Sequence, residues 1–206
     1  MSDNAKIPLQ VVVDSREQCP YRFEGMGAVV EVGVLASGDY SLHGFGSRIA
    51  IERKELGDLI GCLTYGRERF ERELVRLRSY EFACVLVESP AHDLRSGCYR
   101  SQMDPVSAWQ SILALQMRYR IPFIFCDDRS DAERTAFDIL RHYARDRWRE
   151  LQALKSAARM PVERTERRGP GVGMDRDGNA PERRQRAGGI PHPTTAPTAT
   201  ATGAGT

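Results

Sequence analysis

A carboxylate and an ammonium group stand two residues apart in the segment IAIERK, which covers residues 49–54. The isoleucines predict a strand, and side chains alternate between the two faces of a strand. Glu52 and Lys54 therefore project side by side from one face, while Arg53 points to the other. Such a pair can bind a cation through the acid and hold or deprotonate a water through the base.

A second carboxylate, Asp39, is expected to face Glu52 across a β-hairpin. Short strand-like segments on either side of the glycine-rich stretch HGFGS predict this hairpin. If His43 pairs with Arg48 around the turn, Asp39 lies directly opposite Glu52, with Cβ atoms about 5 Å apart. Two carboxylates this close repel each other unless a cation lies between them, and oxygen ligands suit Mg²⁺ or Mn²⁺.

Asp14 is a third candidate acid, because it ends the β-branched run LQVVVD at residues 9–14. It joins the other two acids if this first strand lies beside the hairpin. With a metal ion in place, Lys54 would orient or deprotonate a water that attacks a phosphodiester, while the ion neutralises charge on the phosphate. Arrangements with one ion and with two ions are both open at this level.

Each of these residues also has an ordinary structural interpretation when taken alone. Asp39 follows a glycine and suits a turn, and Asp14 suits the start of a loop. Glu52 and Lys54 suit an exposed strand pair. The combination is more specific than its parts: a Gly-Asp step, a hairpin-length gap and a Glu-x-Lys at the end of a β-branched strand favour a nuclease centre.

Strands and helices alternate along the second half of the chain, which favours an α/β fold with a mixed central sheet flanked by helices. The early hairpin would supply antiparallel pairing, and helical crossovers would join the later strands. Strands are expected at 9–14, 28–35, 39–42, 48–53, 82–88 and 121–126, and helices at 55–63, 66–80, 105–120 and 131–154.

The chain contains five short motifs, which are Val13-Asp14-Ser15-Arg16-Glu17, Gly38-Asp39-Tyr40, Ile51-Glu52-Arg53-Lys54, Asp58-Leu59 and Gly66-Arg67. Together they resemble the XPF/Hef type of structure-specific endonuclease domain, a branch of the PD-(D/E)xK restriction-endonuclease-like superfamily. The resemblance covers roughly residues 10–145. It implies a restriction-endonuclease-like fold and Mg²⁺-dependent cleavage of DNA, commonly at branched or flapped junctions.

The resemblance also implies a role for each matching position. Asp39 and Glu52 would be the principal metal ligands, and Lys54 the catalytic lysine. Asp14 would be a supporting acid and a further metal ligand. The residues implied to complete the site or hold phosphate are Arg16, Glu17, Arg53 and Arg67. Because strand alternation turns Arg53 away from Glu52, we expect its backbone carbonyl to bind metal and its guanidinium to serve packing or an ion pair.

The helix expected at 66–80 carries a row of arginines that would follow a DNA backbone. These arginines are Arg69, Arg72 and Arg76. An ordinary solvated face is the alternative, because Glu68 and Glu73 each stand four residues from one of these arginines and suit ion pairs. Arg67 belongs to the Gly-Arg motif close after the active strand, so phosphate contact is favoured there.

Charge and cysteine content exclude several classes of protein. Residues 1–150 hold 21 Lys and Arg against 23 Asp and Glu, so affinity for nucleic acid must come from local patches. Five scattered cysteines lack CxxC or Cys/His ligand spacing, which argues against a zinc site and a disulfide framework. No apolar run reaches about 18 residues. We expect an intracellular protein without a membrane segment, cytoplasmic or, in a bacterium or phage, nucleoid-associated.

The composition predicts a single folded domain at 9–156, a flexible N-terminus at 1–8 and a disordered tail at 157–206. The tail is rich in Arg, Pro, Gly, Thr and Ala, and a solubilising extension is favoured over weak attraction to nucleic acid. Many members of the family carry a helix-hairpin-helix region after the nuclease domain. Gly171-Val172-Gly173 resembles one such hairpin, but apolar-poor sequence surrounds it, so we expect a stand-alone form without that region.

The leading hypothesis is a Mg²⁺- or Mn²⁺-dependent DNA endonuclease that acts on branched, flap or fork DNA in repair, recombination or phage DNA processing. Dimerisation, as a homodimer or a heterodimer, would fall to the nuclease domain. The alternative is a non-catalytic DNA-binding or dimerisation module of a nuclease complex. The presence of Asp39, Glu52 and Lys54 favours catalysis, whereas an adaptor role for the arginine-rich tail has only composition in its favour.

Overall fold

The computed structural model describes residues 8–158. The strands are β1 (Leu9–Asp14), β2 (Ala28–Gly33), β3 (Tyr40–Leu42), β4 (Ile49–Lys54), β5 (Phe82–Val87) and β6 (Phe123–Phe125). The helices are α1 (Leu56–Leu63), α2 (Arg67–Leu77), α3 (Ala91–Ser96), α4 (Pro105–Tyr119) and α5 (Arg129–Ala158). None of these helices has both the length and the apolar character needed to cross a membrane. The segments predicted as a flexible N-terminus and a disordered tail lie almost wholly outside the described residues.

A six-stranded mixed sheet runs through the fold in the order β2-β1-β3-β4-β5-β6. Strand β3 is antiparallel to both of its neighbours, whereas the other neighbouring pairs are parallel. The predicted α/β fold with a mixed central sheet is therefore confirmed. Because β1, β4, β5 and β6 run in the same direction, their carboxyl ends meet at one edge, where open α/β sheets commonly bind ligands.

Helices cover both faces of the sheet and create two apolar cores. On one face, buried side chains of α1, α2 and α4 pack against Ala50 and Val85. On the other face, α5 packs against Ile49 and Ile51. Alternation along β4 explains the division, because successive side chains of one strand enter different cores. The side chains of the site residues on β4 are divided between the two faces of the sheet in the same way.

Strands β2 and β6 are shorter than predicted and helix α3 was not predicted, in each case for a local physical reason. Strand β2 ends at Gly33 rather than at residue 35, because the neighbouring β1 ends at Asp14, which pairs with Gly33. Strand β6 contracts to FIF because Pro122 has no N–H to donate to a ladder. Helix α3 was not predicted: its sequence AHDLRS buries only Leu94, so it shows no repeating apolar stripe.

One pair between β3 and β4 has the predicted hairpin register. Tyr40 of β3 pairs with Ile51 of β4. Asp39 directly precedes this pair and Glu52 directly follows it. The backbone N–H of Asp39 donates to the carbonyl of Ile51 at 2.8 Å, so the backbone of Asp39 lies beside Ile51.

Gly38 allows the chain to enter the hairpin at close range. Its φ is +79°, in the left-handed region that glycine adopts readily. A Cβ atom at this position would lie 2.9 Å from the Cβ of Ala50 and 3.2 Å from the carbonyl oxygen of Ile51. A side chain here would thus push β3 away from β4 immediately before Asp39.

We expect Gly38→Ala to lower the free energy of unfolding by roughly 2–4 kcal/mol, since it combines a left-handed alanine with a clash against backbone. Gly44→Ala is the matched control, because Gly44 has φ +78° and no heavy atom within 4 Å of the added Cβ. That control should lose only about 1–2 kcal/mol. Urea denaturation measures both losses, and equal losses would contradict the close approach at Gly38.

Candidate active site

Three carboxylates form a row at the carboxyl edge of the sheet. Asp14 ends β1, Asp39 directly precedes β3 and Glu52 lies near the end of β4. The N–H of Asp14 donates to the carbonyl of Asp39 at 2.8 Å. The expectation that the first strand lies beside the hairpin is thus confirmed, and the three acids occupy neighbouring positions on three adjacent strands.

Asp39 is anchored by the backbone of the facing strand. Its Oδ2 accepts a hydrogen bond from the N–H of Arg53 at 2.7 Å. Burial raises the pKa of Asp39, and this hydrogen bond and the nearby Lys54 ammonium offset that effect only in part. The carboxyl group is held in place while burial disfavours its charge.

Glu52 is buried, with 4% of its surface exposed. Its Oε1 contacts Nζ of Lys54, as their shared strand face predicts. Its Oε2 is also buried and has no hydrogen-bond partner within the described part of the chain. A buried carboxylate oxygen without a partner is unfavourable, so a cation bound here would stabilise it.

The acids and the lysine change each other's titration. Burial, followed by the negative charge of Asp39, raises the pKa of Glu52 against the opposing effect of Lys54. Burial lowers the pKa of Lys54, but the carboxylates of Glu52 and Asp39 raise it by more. Lys54 is therefore an ammonium group at neutral pH, and ionising both acids leaves an excess of negative charge.

Asp14 is engaged by its own loop. Arg16 donates to its two oxygens through Nε at 2.7 Å and Nη2 at 3.0 Å. The N–H of Leu35 donates to Oδ2 at 2.7 Å. These hydrogen bonds, that of the Arg16 side chain above all, keep the pKa of Asp14 below its usual range. Asp14 and Arg16 thus join the loops that follow β1 and β2, and the role of Asp14 as a metal ligand stays a prediction.

The Arg53 guanidinium lies on the opposite face of the sheet, as strand alternation predicts. It donates to Glu88 through two hydrogen bonds of 2.7 and 2.6 Å and to Glu55 at 2.7 Å. Glu17 lies 3.5 Å from the same guanidinium. The structure therefore groups the side chains of Arg53 and Glu17 with each other and separates them from Glu52.

The backbone of Arg53 faces the site although its side chain does not. Its N–H donates to Asp39. Carbonyl groups on the same side of a strand recur at every second residue. Because the Ile51 carbonyl accepts from the N–H of Asp39, the Arg53 carbonyl points to that same side. This direction is compatible with the predicted carbonyl ligand.

The arginines predicted to bind DNA lie on α2, and most of them already have partners. The partners are Glu71 for Arg67, Glu68 for Arg72 and Ser37 for Arg76. The pair expected between Arg69 and Glu73 does not form, because Glu73 lies 4.0 Å from Arg76 instead. Arg69 is exposed, and within residues 8–158 it has neither an ion-pair partner nor a side-chain hydrogen bond.

Comparison with known proteins agrees with this geometry. A model of the ERCC4 domain matches residues 13–137. The chain belongs to the ERCC4 domain family. Among solved structures, XPF from Aeropyrum pernix is 27% identical with a TM-score of 0.53, and the match covers 65% of this chain and 61% of that one.

A second structure, XPF from Aeropyrum pernix in complex with DNA, is also 27% identical, with a TM-score of 0.52 and coverage of 67% and 66%. The chain thus spans slightly less than two thirds of the length of these structures. The resemblance to an XPF-type nuclease domain is confirmed. A comparison with curated proteins gave no match.

The ERCC4 domain offers oxygen donors that fit a divalent cation. The donors are the unpartnered Oε2 of Glu52, the Asp39 carboxylate and the Arg53 carbonyl. In the described residues, no group of three or more His, Cys, Asp or Glu side chains is arranged to hold a metal. Two carboxylates are nevertheless sufficient for Mg²⁺, which usually keeps several waters and completes its shell with substrate phosphate.

Sequence reasoning missed two acids of this ERCC4 domain, Glu73 and Glu88. The negative charge of Glu73, on α2, adds to the effect of burial in raising the pKa of Glu52. The sequence signal for Glu73 was its position one helical turn after Phe70. Phe70 packs near the site, since its ring centroid lies 6.0 Å from Nζ of Lys54. Glu88 gave no comparable signal, because its contact with β4 depends on the parallel pairing of β4 with β5.

We expect Glu52→Gln to flatten the pH dependence of stability of the metal-free ERCC4 domain. The pKa of Glu52 is raised by folding, so the folded state retains a proton that the unfolded chain has already lost. The resulting penalty is absent below the ordinary glutamate value of 4.5 and grows as pH rises through the raised value. In EDTA, the wild-type melting temperature should fall more steeply between about pH 5 and about pH 8 than that of the variant.

Glu81→Gln is the control for this measurement. Glu81 directly precedes β5, at the edge of the sheet opposite the site, and a hydrogen bond from Arg48 lowers its pKa, so its effect on stability has the opposite sign. The control should leave the downward trend in place. Parallel pH profiles for wild type and Glu52→Gln would show that Glu52 does not titrate as described.

Proposed function

We propose that this ERCC4 domain is a Mg²⁺- or Mn²⁺-dependent DNA endonuclease that hydrolyses phosphodiester bonds. The observation that carries the proposal is the buried Glu52, which has Asp39 close by, an oxygen without a partner among residues 8–158 and the Lys54 ammonium beside it. Two acids and one lysine at a sheet edge can hold a cation and a phosphate together. The related XPF structure in complex with DNA supports DNA as the substrate.

Each group has a separate task in this proposal. Asp39 and Glu52 would hold the cation, and the carbonyl of Arg53 would add a third oxygen. A bound Mg²⁺ or Mn²⁺ would neutralise the negative charge that develops on the attacked phosphate. Lys54 stays protonated because the two carboxylates raise its pKa by more than burial lowers it. Its charge supports a role in orienting water or a phosphate oxygen rather than in removing a proton.

The finer parts of the proposal concern substrate and assembly. Branched, flap or fork DNA in repair, recombination or phage DNA processing is the proposed substrate, on the strength of the similarity to XPF. A homodimer or heterodimer through the nuclease domain is the proposed assembly. On α4, exposed Val106, Leu113 and Met117 share one helical face and offer an apolar surface for it. The proposed location is with intracellular DNA.

The protein is expected to cleave labelled flap, fork or four-way DNA with Mg²⁺ or Mn²⁺ and to be inactive in EDTA. Glu52→Gln and Lys54→Ala should each lower kcat by about 10²–10⁴-fold, because each removes a group that acts on the metal, the water or the phosphate. Denaturing gels of end-labelled strands measure the rate and the cleavage position. A plain duplex of the same sequence reports the preference for branches.

Matched controls for this assay come from α5. Glu150→Gln and Lys155→Ala repeat the two substitutions at exposed positions and should leave kcat unchanged. Full activity in both site variants, or cleavage in EDTA, would refute the mechanism. Binding without cleavage under every metal condition would assign the chain to the non-catalytic DNA-binding or dimerisation modules instead.

Arg69→Ala is expected to weaken binding to every DNA tested and to reduce the slope of log Kd against log salt by about 1, as for the loss of one phosphate contact. Arg69 is exposed, so its guanidinium is free to reach a phosphate. Arg149→Ala is the control, because Arg149 is an exposed α5 residue paired with Asp146 at 3.0 Å. An unchanged salt slope in Arg69→Ala would remove this position from the DNA-binding surface.

A further inference from the structure

Strand β2 forms an open edge of the sheet, and this edge carries exposed apolar side chains. Within residues 8–158, β2 pairs with β1 alone. The exposed fractions are 40% for Val30, 71% for Val32 and 84% for Val34. Edge strands are usually protected by lysine, proline, a bulge or a covering segment. The sequence of residues 28–34, AVVEVGV, contains neither lysine nor proline, so the edge is able to accept a further strand.

The outward backbone groups of β2 belong to the same alternate residues as the exposed valines. The N–H of Ser15 donates to the carbonyl of Gly33 at 2.7 Å, so the peptide groups of Gly33 and of every second residue before it face β1. Peptide groups alternate in direction along a strand. The N–H and carbonyl groups of Val30 and Val32 therefore point away from the sheet, where a second strand would pair with them.

An apolar row of side chains leads from the core beside α5 to this edge. Tyr40 pairs with Val13, and Val13 pairs with Val32. Paired residues of neighbouring strands have their side chains on the same face of a sheet. Because Tyr40 and Val13 belong to the core formed with α5, Val32 extends the apolar surface of that core to the edge. An incoming strand with an apolar residue opposite Val32 would continue the row.

The charged residue of this strand, Glu31, restricts the register in which two copies of β2 can pair. In an antiparallel pair, a twofold axis at Glu31 would place two like charges directly opposite each other, which is destabilising. An axis at Val32 places Glu31 opposite Gly33 of the second copy, which has no side chain. It also places each Val30 opposite Val34 of the other copy, whereas an axis at Val30 would leave the more exposed Val34 unpaired.

We propose that the outer edge of β2 is an interface between two copies of this chain, paired antiparallel about a twofold axis at Val32. The contact joins the two sheets and continues the apolar row of each copy into the other. Val34 is in place to extend the pairing beyond β2, because the N–H of the next residue, Leu35, donates to Asp14 at 2.7 Å and keeps the chain beside β1. No part of this inference depends on the proposed nuclease function.

An interface at β2 leaves both the row of acids and the apolar surface of α4 accessible. Strands β1 and β2 are parallel, so in an antiparallel pair of β2 strands the carboxyl edges of the two copies point in opposite directions. The two rows of acids then lie on opposite edges of the joined sheet. Helix α4 packs at the other end of the sheet, where the ring of Trp109 lies 6.1 Å from that of Phe125 in β6. Contacts through β2 and through α4 are therefore compatible.

The first test is Val32→Lys in the full chain, with the mass measured by light scattering across a range of protein concentrations. Because Val32 is exposed, the fold should persist, whereas in the dimer two introduced ammonium groups would face each other. The dissociation constant of the contact should rise by at least about 100-fold, so that the mass falls to half or less of the wild-type value. Val75→Lys is the matched control: Val75 is 57% exposed on α2, and the wild-type mass should be retained.

Disulfide cross-linking tests the register. Val32→Cys is made together with Cys19→Ser and Cys98→Ser, which remove the two exposed cysteines. With the axis at Val32, the introduced thiols face each other with Cα atoms about 5.5 Å apart, a distance that a disulfide spans. Val34→Cys in the same background is the control, because its two Cα atoms would lie about 14 Å apart. Oxidised glutathione should link the first variant at least about tenfold faster on non-reducing gels.

A wild type that stays monomeric at every concentration, or a Val32→Lys variant that keeps the wild-type mass, would overturn the proposal. Equal cross-linking of Val32→Cys and Val34→Cys would also overturn it, because random collision would explain both. This comparison decides the matter even if Val32→Lys does not fold. Slow amide hydrogen exchange at Val30 and Val32 in a monomeric wild type would assign the edge to a segment of the same chain outside residues 8–158 instead.

Discussion

Two carboxyl groups of like charge lie close together, the buried Glu52 on β4 and the partly buried Asp39 just before β3, and the rest of the centre is arranged around their repulsion. Burial raises the pKa of both Asp39 and Glu52, and the single ammonium group of Lys54 compensates one charge of the two. Oε2 of Glu52, which has no hydrogen-bond partner in the part of the chain that the structure describes, marks where the compensation is incomplete. The proposed binding of a cation rests on this local excess of negative charge, which a well-packed apolar site would not create.

The topology brings these charges together within a short length of chain. Only β3 runs against its neighbours, so the residue before β3 meets the last residues of β1 and β4 at one edge. Gly38 lets the chain turn into that position without displacing Ala50. The side chains of β4 alternate between the two faces of the sheet, so the two faces carry different groups. One face carries the acids and Lys54, and the other carries the Arg53 guanidinium, which is bound to Glu88.

The centre was predictable from the sequence where it depends on local geometry. Strand alternation placed Lys54 beside Glu52, and hairpin length placed Asp39 close to the end of β4, because both are properties of neighbouring residues. Contacts between distant segments were not accessible. The hydrogen bond from the Leu35 N–H to Asp14 joins two separate loops, so one strand sequence does not reveal it. On α2, helical spacing wrongly paired Arg69 with Glu73. Spacing shows which residues are neighbours on a helix, but it does not show which helical face packs against the sheet.

The supports of the centre are widely separated along the chain, and this affects when the centre can exist. The hairpin with Asp39 and Glu52 is local, but the β4–β5 pairing is parallel and needs a helical crossover, and α5, which packs against β4, follows all six strands. Contacts between remote segments form slowly, after loop closure. In a chain emerging from the ribosome, the acids are therefore present long before the strands and helices that position them. The proposed hydrolysis of DNA therefore requires the completed fold, and nascent or partly unfolded molecules would lack it.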